Sequence, residues 1–345
     1  AVDAARRGGV VSARLRVAVV GVGHLGKIHA RILARHPRAE LVCVVDSDEA
    51  RAREIAAEHG CRALGSIHDL PRDLQAAIVA VPTTYHEAVA VPLLERGVAC
   101  LVEKPLAPDL ASADRILRAA ETSGACLAAG HVERFEPGVR KVAELGVRPR
   151  FIECHRLSTF RFRSLDVGVV HDLMIHDLDL VLHFTGSEVE SFDASGGTIL
   201  TDSLDLASVH LVFRNGARAN VTASRVSLTP MRRFRLFSGS SYVSLDFTKN
   251  YGLVVQKGPG WEKGREELRT KDPAELALRE NFVNGELLDV SELSLEGLDQ
   301  PLQAELDSFL RCVECGAAPE VTGLDGRRAL DLAEKITAAI RAQTW

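Results

Sequence analysis

No stretch of about 18 consecutive apolar residues occurs in the chain, so no membrane-spanning helix is expected. There is no internal repeat and no low-complexity tract, which excludes solenoid and fibrous architectures. Neither sign of charge dominates: 42 Lys and Arg face 47 Asp and Glu, a net charge of −5. Such a balance gives no general attraction to a phosphate backbone or an anionic bilayer, and neither nucleic acid nor membrane is expected as a partner. Cysteine is sparse, with seven residues at 43, 61, 100, 126, 154, 312 and 315. An odd set scattered mostly through apolar runs reads as reduced thiols rather than a disulfide framework. Cys312 and Cys315 form one CxxC, but a structural zinc site needs two further ligands, and the segment PLQAELDSFLRCVECG reads as a helix; no metal is expected. The leader AVDAARRGGVVSARL carries Arg6 and Arg7, yet Arg14 and Arg16 interrupt any apolar region that a targeting signal would need. Residues 1–14 are expected to be a disordered extension and the protein to be cytoplasmic.

What is present is an ordinary globular composition, 46% hydrophobic and 26% charged over 345 residues, enough for two domains with their own cores. From Leu15 to about Gly130, short β-branched runs (LRVAVVG, AELVCVVD, AAIVAVP, VACLVE, ACLAAG) alternate with helix-like segments such as DEARAREIAAEHG and SADRILRAAETSG. Strands and helices alternating in this way imply βαβ units and a parallel sheet, an α/β fold with both sheet faces covered. After about Phe151 a helix candidate, VVHDLMIHDLDLVLHFTG, precedes segments with period-two alternation: LDLASVHLVF, GARANVTASRV, RRFRLFSG and SYVSLDFT. That alternation predicts an antiparallel sheet with one polar face. A charged loop is expected from Glu262 to Arg279, and two closing helices near Gln303–Cys315 and Asp325–Ala342.

Three glycines in VAVVGVGHLG, Gly21, Gly23 and Gly26, end a predicted strand and open a predicted helix. Gly21 suits the tight turn, Gly23 a close approach of backbone to a pyrophosphate, and Gly26 close packing of helix on sheet. The diphosphate would lie at the helix N-terminus against His24 and Leu25, facing unpaired N–H groups. Twenty residues beyond Gly26, Asp46 ends the next strand, where a carboxylate accepts hydrogen bonds from a ribose 2′-OH, and Ser47 rather than an arginine follows it. Both features favour NAD over NADP. The alternative is a glycine turn beside a capping acid.

Three further motifs carry chemistry. VPTTYHEAV places Pro82, Thr83 and His86 at the carboxyl end of a strand, where ligands sit in doubly wound sheets. VEKP places Glu103 and Lys104 at the end of the next strand. In HDLMIHDLD, Asp172 and His176 are four apart and Asp179 three beyond, so on a helix they share one face. His171 and His176 are five apart, about 140° around a helix, and cannot chelate one ion. A buried structural Asp–His pair is the other reading of this cluster.

Together GVGHLG, VPTTYH, EKP and the D-x-x-x-H of DLMIH resemble the Gfo/Idh/MocA oxidoreductases, over nearly the whole chain. The resemblance implies a Rossmann domain at 15–130 and an α+β domain at 131–345 with a large open, mainly antiparallel sheet. It also implies C-terminal helices packing back on the first domain, and homodimers or homotetramers built through the open sheet. It places Lys104, Asp172 and His176 around substrate and nicotinamide. The chemistry suits these residue types: oxidising a secondary alcohol requires a base for the hydroxyl proton while hydride leaves for the cofactor. Lys104 and His176 both qualify, with Asp172 orienting the histidine or holding a neighbouring hydroxyl, and Glu103 either touches cofactor or braces the Lys104 loop.

GHVERFEPGVR and HRLSTFRFRS resemble the branch of that family that oxidises C3 of UDP-N-acetylglucosamine. On that resemblance Arg134 is a substrate contact. Arg156, Arg161 and Arg163 suit phosphate oxygens if they line the cleft, and a solvated strand face if they do not. A dehydrogenase of a neutral, inositol-like polyol and a non-catalytic NAD-sensing protein are the alternatives on the same fold.

Overall fold

The continuous apolar runs near the start of the chain form strands buried on both faces, with Val17, Ala18 and Val19 fully out of solvent. The computed structural model describes residues 14–160, 167–279, 282–295 and 297–343. The expected extension therefore lies outside the described residues, Arg14 excepted, as do Arg161 and Arg163. The chain separates into two units, one of residues up to Gly130 with Glu305–Gly323, the other of His131–Ala304 with Leu324 onward.

In the first unit β1 (Leu15–Val20), β2 (Ala39–Val45), β3 (Arg62–Leu64), β4 (Ala76–Val79), β5 (Ala99–Glu103) and β6 (Leu127–Gly130) alternate with α1 (Gly26–Leu33), α2 (Glu49–His59), α3 (His86–Glu95) and α4 (Leu110–Ser123). All six strands are parallel, in the order β3-β2-β1-β4-β5-β6. This is the doubly wound Rossmann order, and its direction reverses between β1 and β4, which leaves a crevice at their carboxyl ends. Asp48 and Asp109 cap α2 and α4 by accepting from the N–H of Arg51 and Ser112, at 3.1 and 2.7 Å.

The second unit begins with α5 (Pro137–Glu144) and β7 (Phe151–Leu157), then α6 (Ile175–Thr185), β8 (Val189–Gly197), β9 (Leu206–Phe213), β10 (Arg218–Ser224), β11 (Met231–Phe237), β12 (Ser241–Asp246) and β13 (Tyr251–Lys257). After α7 (Trp261–Thr270) and α8 (Pro273–Ala277), β14 (Leu288–Glu292) completes an eight-stranded sheet ordered β14-β13-β12-β11-β7-β10-β9-β8. Its pairs are antiparallel except β7 with β10. Alternation decides which face is covered: Ala207, Val209, Leu211 and Phe213 of β9 point into a core shared with Leu178 and Val181 of α6. Burying each large aliphatic side chain there contributes roughly 1.5–3 kcal/mol.

The expected loop at Glu262–Arg279 is instead α7 and α8. Their charged surface masks a small core of Trp261, Leu276, Phe282 and Leu287, and Asp272 caps α8 by accepting from Ala274 N–H at 2.9 Å. The chain closes with α9 (Pro301–Cys315) and α10 (Gly323–Arg341). Leu306, Phe309 and Leu310 of α9 join the core of the first unit, whereas Ala329, Ala333 and Ile336 of α10 join that of the second. Among the described residues no helix is long and apolar enough to cross a membrane, and all seven cysteines are free thiols.

Candidate active site

The glycine turn leaves β1 as the spacing requires. Gly21 has φ +86°, and a Cβ there would stand 2.7 Å from the Ala80 carbonyl oxygen. A Cβ on Gly26 would fall 1.7 Å from the Gly21 oxygen, so the first turn of α1 packs on the strand end with no room for a side chain. Nothing lies within 4 Å of the equivalent position on Gly23, which therefore presents open backbone to a ligand. His24 and Leu25 are exposed beside it, and no side chain caps α1; the N–H groups of Lys27 and Ile28 donate to the Gly23 and Leu25 carbonyls, at 3.1 and 2.9 Å, so an anion would meet the exposed backbone ahead of them. Asp46, 9% exposed, accepts from Val22 N–H at 2.9 Å through one oxygen and from Asp48 N–H at 2.9 Å through the other. It ties the glycine turn to β2 while each oxygen keeps a lone pair for a ribose hydroxyl. Arg51, four residues beyond Ser47, lies 3.5 Å from Asp46 and 3.0 Å from Asp48, its charge balanced by both. These residues fit NAD. Gly26→Ala is expected to weaken NAD binding at least tenfold (~1.4 kcal/mol) in titration calorimetry; unchanged affinity would refute this geometry.

Two of the expected cofactor contacts are placed as braces. His86 is 1% exposed, with Nδ1 3.0 Å from the Pro105 carbonyl and Nε2 2.9 Å from that of Val81. Burial pushes its imidazole below the ordinary value, and a neutral ring donates to one of these carbonyls at a time. Pro82 and Thr83 start the short turn ahead of it. Glu103, 7% exposed, meets His29 Nε2 at 2.7 Å. Burial pushes its carboxyl up, but His29 and the ammonium of Lys104 more than offset this and leave it lowered. A side chain on Gly130 would come within 3.0 Å of the Glu103 carboxylate, so the glycine that ends β6 makes its seat. Lys104 follows, half-buried, joined to Pro105 by a cis peptide.

Sequence reasoning missed Glu305, a lone acid in the apolar stripe of α9. It is 2% exposed, neither carboxyl oxygen has a hydrogen-bond partner among the described residues, and burial together with the Glu103 charge pushes its carboxyl well up. A raised folded value favours the protonated acid, so this contribution to stability is complete below the unfolded carboxyl range and is lost as pH rises through the folded value. Glu305→Gln is expected to match the wild type in Tm near pH 5 and to exceed it by several degrees at pH 8; equal Tm values at both would refute a neutral Glu305.

In the second unit Asp172 lies in a π-helical turn, Val170–Met174, that leads into α6, and His176 lies in the first turn of that helix. Such turns recur at functional sites. Both side chains are half-buried, and the His176 ring meets His131 edge-on at 6.5 Å. Asp179 turns inward, 1% exposed, and takes a bidentate grip from Arg134 at 2.6 and 2.8 Å. The remaining arm of Arg134 donates to His183 Nδ1 at 2.7 Å. The guanidinium expected to contact substrate is thus engaged in bracing. A cavity of about 940 Å³ beside it is lined by Arg134, His183, Asp325, Arg328 and Lys335 among others, but by neither Asp172 nor His176.

Arg156 differs from both readings of it, cleft and solvated face. It alternates in phase with Ile152 and Cys154, so it points into the covered side of the sheet, 7% exposed. It donates to both oxygens of Asp177, at 2.8 and 2.9 Å, and to Glu133 at 3.0 Å. Burial pushes the Glu133 carboxyl up, and Arg156 with Arg232 more than offsets it. The strand period was the available signal. Among the described residues no three His, Cys, Asp or Glu side chains could hold a metal ion.

A six-stranded parallel sheet with a glycine turn at its reversal point and an acid ending β2, followed by an α+β unit, defines a nicotinamide-dinucleotide oxidoreductase. Residues 15–131 match the family model described as "Oxidoreductase family, NAD-binding Rossmann fold", and residues 148–239 that of the GFO/IDH/MocA C-terminal domain. The chain is 36% identical to the UDP-N-acetylglucosamine 3-dehydrogenase of Acidithiobacillus ferrooxidans, over 95% of this chain and 98% of the relative. A solved structure of an enzyme of that name from the same organism superposes with a TM-score of 0.85 at 35% identity, covering 96% of this chain and 98% of that one. A myo-inositol 2-dehydrogenase of Thermotoga maritima is 25% identical over 92% of this chain and 93% of its own length. The chain belongs to the Gfo/Idh/MocA family of NAD-dependent oxidoreductases.

Proposed function

We propose that the protein oxidises the C3 hydroxyl of UDP-N-acetylglucosamine to the 3-keto sugar with NAD. The observation that carries this reading is the 36% identity along almost the entire length of a dehydrogenase of that name, against 25% for the inositol enzyme. NAD, when bound, accepts the hydride from the carbinol carbon. The protein supplies a base and orientation. Lys104 and His176 are the two groups able to take the hydroxyl proton, and Asp172, four residues before His176, orients the imidazole or holds a neighbouring hydroxyl. Glu103, seated against His29, braces the strand end that carries Lys104. Arg156 is a bracing residue in this reading, supported by its two buried carboxylate partners, and the arginines at 161 and 163 remain the candidates for the diphosphate.

The protein is further proposed to be cytoplasmic, as its free thiols suggest, and to assemble as a homodimer or homotetramer. The less buried face of the eight-stranded sheet, with Phe151, Met231, Phe237 and Tyr242 among its residues, supports assembly through that sheet.

The test is NAD reduction by the pure protein with UDP-N-acetylglucosamine, run beside an amine-trapping reaction because keto-sugar formation is uphill, with mass spectrometry for the 3-keto product. Product from the nucleotide sugar and not from free N-acetylglucosamine supports the reading. Turnover of inositol instead, with intact NAD binding, transfers it to a neutral polyol.

A further inference from the structure

The π-helical turn that carries Asp172 is entered through three residues, Val167, Gly168 and Val169, and what holds them is a buried ion pair outside the family motifs. Asp205, immediately before β9, is fully buried, and Arg225, immediately after β10, is 5% exposed. Arg225 Nε donates to Asp205 Oδ1 at 2.7 Å, one arm of its fork donates to Thr201 Oγ1 at 2.9 Å, and the other reaches the carbonyl oxygen of Val167 at 2.8 Å. The second oxygen of Asp205 accepts three successive backbone N–H groups, from Ile199, Leu200 and Thr201, at 2.8, 2.6 and 2.9 Å. The loop so gathered holds the entry again, because Val169 N–H donates to Leu204 oxygen at 2.7 Å. Gly168 in turn accepts from the backbone N–H of His171 and of Asp172, each at 3.1 Å.

We propose that Asp205 and Arg225 are positioning residues for Asp172, fixing the entry to its turn from the ends of two core strands. The proposal rests on the reading that Asp172 acts in turnover. A guanidinium suits this role because its fork reaches a carboxylate, a hydroxyl and a backbone carbonyl at once, which an ammonium cannot do. Burial pushes the Asp205 carboxyl up, and the three backbone donors with Arg225 more than offset it and leave it ionised, so the pair is charged on both sides. A carboxylate tied in this way holds loop and strand ends as one rigid piece. A displacement of about 1 Å in a positioned group is enough to lower turnover about 100-fold.

The experiment is a double-mutant cycle on the full-length protein with whichever sugar the wild type turns over. Arg225→Ala is expected to lower kcat about 100-fold with KM for NAD unchanged, and added guanidinium ion to restore at least tenfold of the loss. In an Asp172→Ala background the same change is expected to lower kcat no further. Arg225→Lys, which keeps charge and packing, is the second variant if the alanine form does not fold, and is expected to lose kcat in the wild-type background alone. Wild-type kcat in the folded Arg225 variants, or a loss that adds in full to that of Asp172→Ala, overturns the positioning role. Wild-type turnover in Asp172→Ala alone overturns the underlying reading of the site instead, so the two failures are distinguishable.

Discussion

Lys104→Ala is expected to lower turnover by about three orders of magnitude while the affinity for NAD changes less than about tenfold. The asymmetry follows from where the parts lie. In the proposed site the dinucleotide would be held by the open backbone at Gly23, the turn ahead of α1 and Asp46, none of which depends on the lysine. There Lys104 contributes its side-chain amine beside Glu103, whose seat is built by His29 and by the missing side chain of Gly130. Removing the amine leaves that seat intact, so binding is expected to survive and proton transfer to be lost. Stopped-flow absorbance for NADH together with calorimetry for NAD separates the two. Wild-type turnover in Lys104→Ala would end the assignment of the base to this residue, and an equal loss of NAD affinity would make the lysine a binding group.

Arg156→Met is expected to lower stability by about 3–5 kcal/mol, because it strands Asp177 and Glu133 in the core with fewer partners. For a unit of this size that is about 10 °C in Tm. The double change Arg156→Met with Asp177→Leu is expected to recover part of the loss, since it removes one stranded charge along with its partner. Thermal unfolding followed by circular dichroism measures both. A single variant within about 1 kcal/mol of the wild type would mean that Arg156 is solvated after all.

The first unit was legible in its sequence because parallel strands buried on both faces read as unbroken apolar runs, and because the turn at Gly21 and Gly26 admits only glycine. Helix α6 and strands β9 to β12 were equally plain from their periods, whereas β13, β14 and the π turn ahead of α6 were not read from them. Four further things were not legible. The arginine at 156 looks like any strand arginine until its phase with Ile152 and Cys154 is counted, and its partners lie 21 and 23 residues away. Helices α7 and α8 hide a small core of three buried residues under a surface of paired charges. Glu305 differs from an exposed helix acid only through what surrounds it in three dimensions, and the contacts of Asp205 and Arg225 with the entry to the π turn are likewise long-range.

The double duty of Asp46 bears on redesign of cofactor preference. The usual step toward a phosphorylated dinucleotide is to remove the acid at the end of β2, which relieves repulsion of the extra phosphate. In this protein the same carboxylate anchors the Val22 amide inside the glycine turn, so its removal would loosen the diphosphate cradle along with the selectivity filter. Asparagine at 46, whose side-chain oxygen reaches as far as that of the carboxylate, is expected to keep the anchor, and Asp48→Ser to release Arg51 toward the new phosphate.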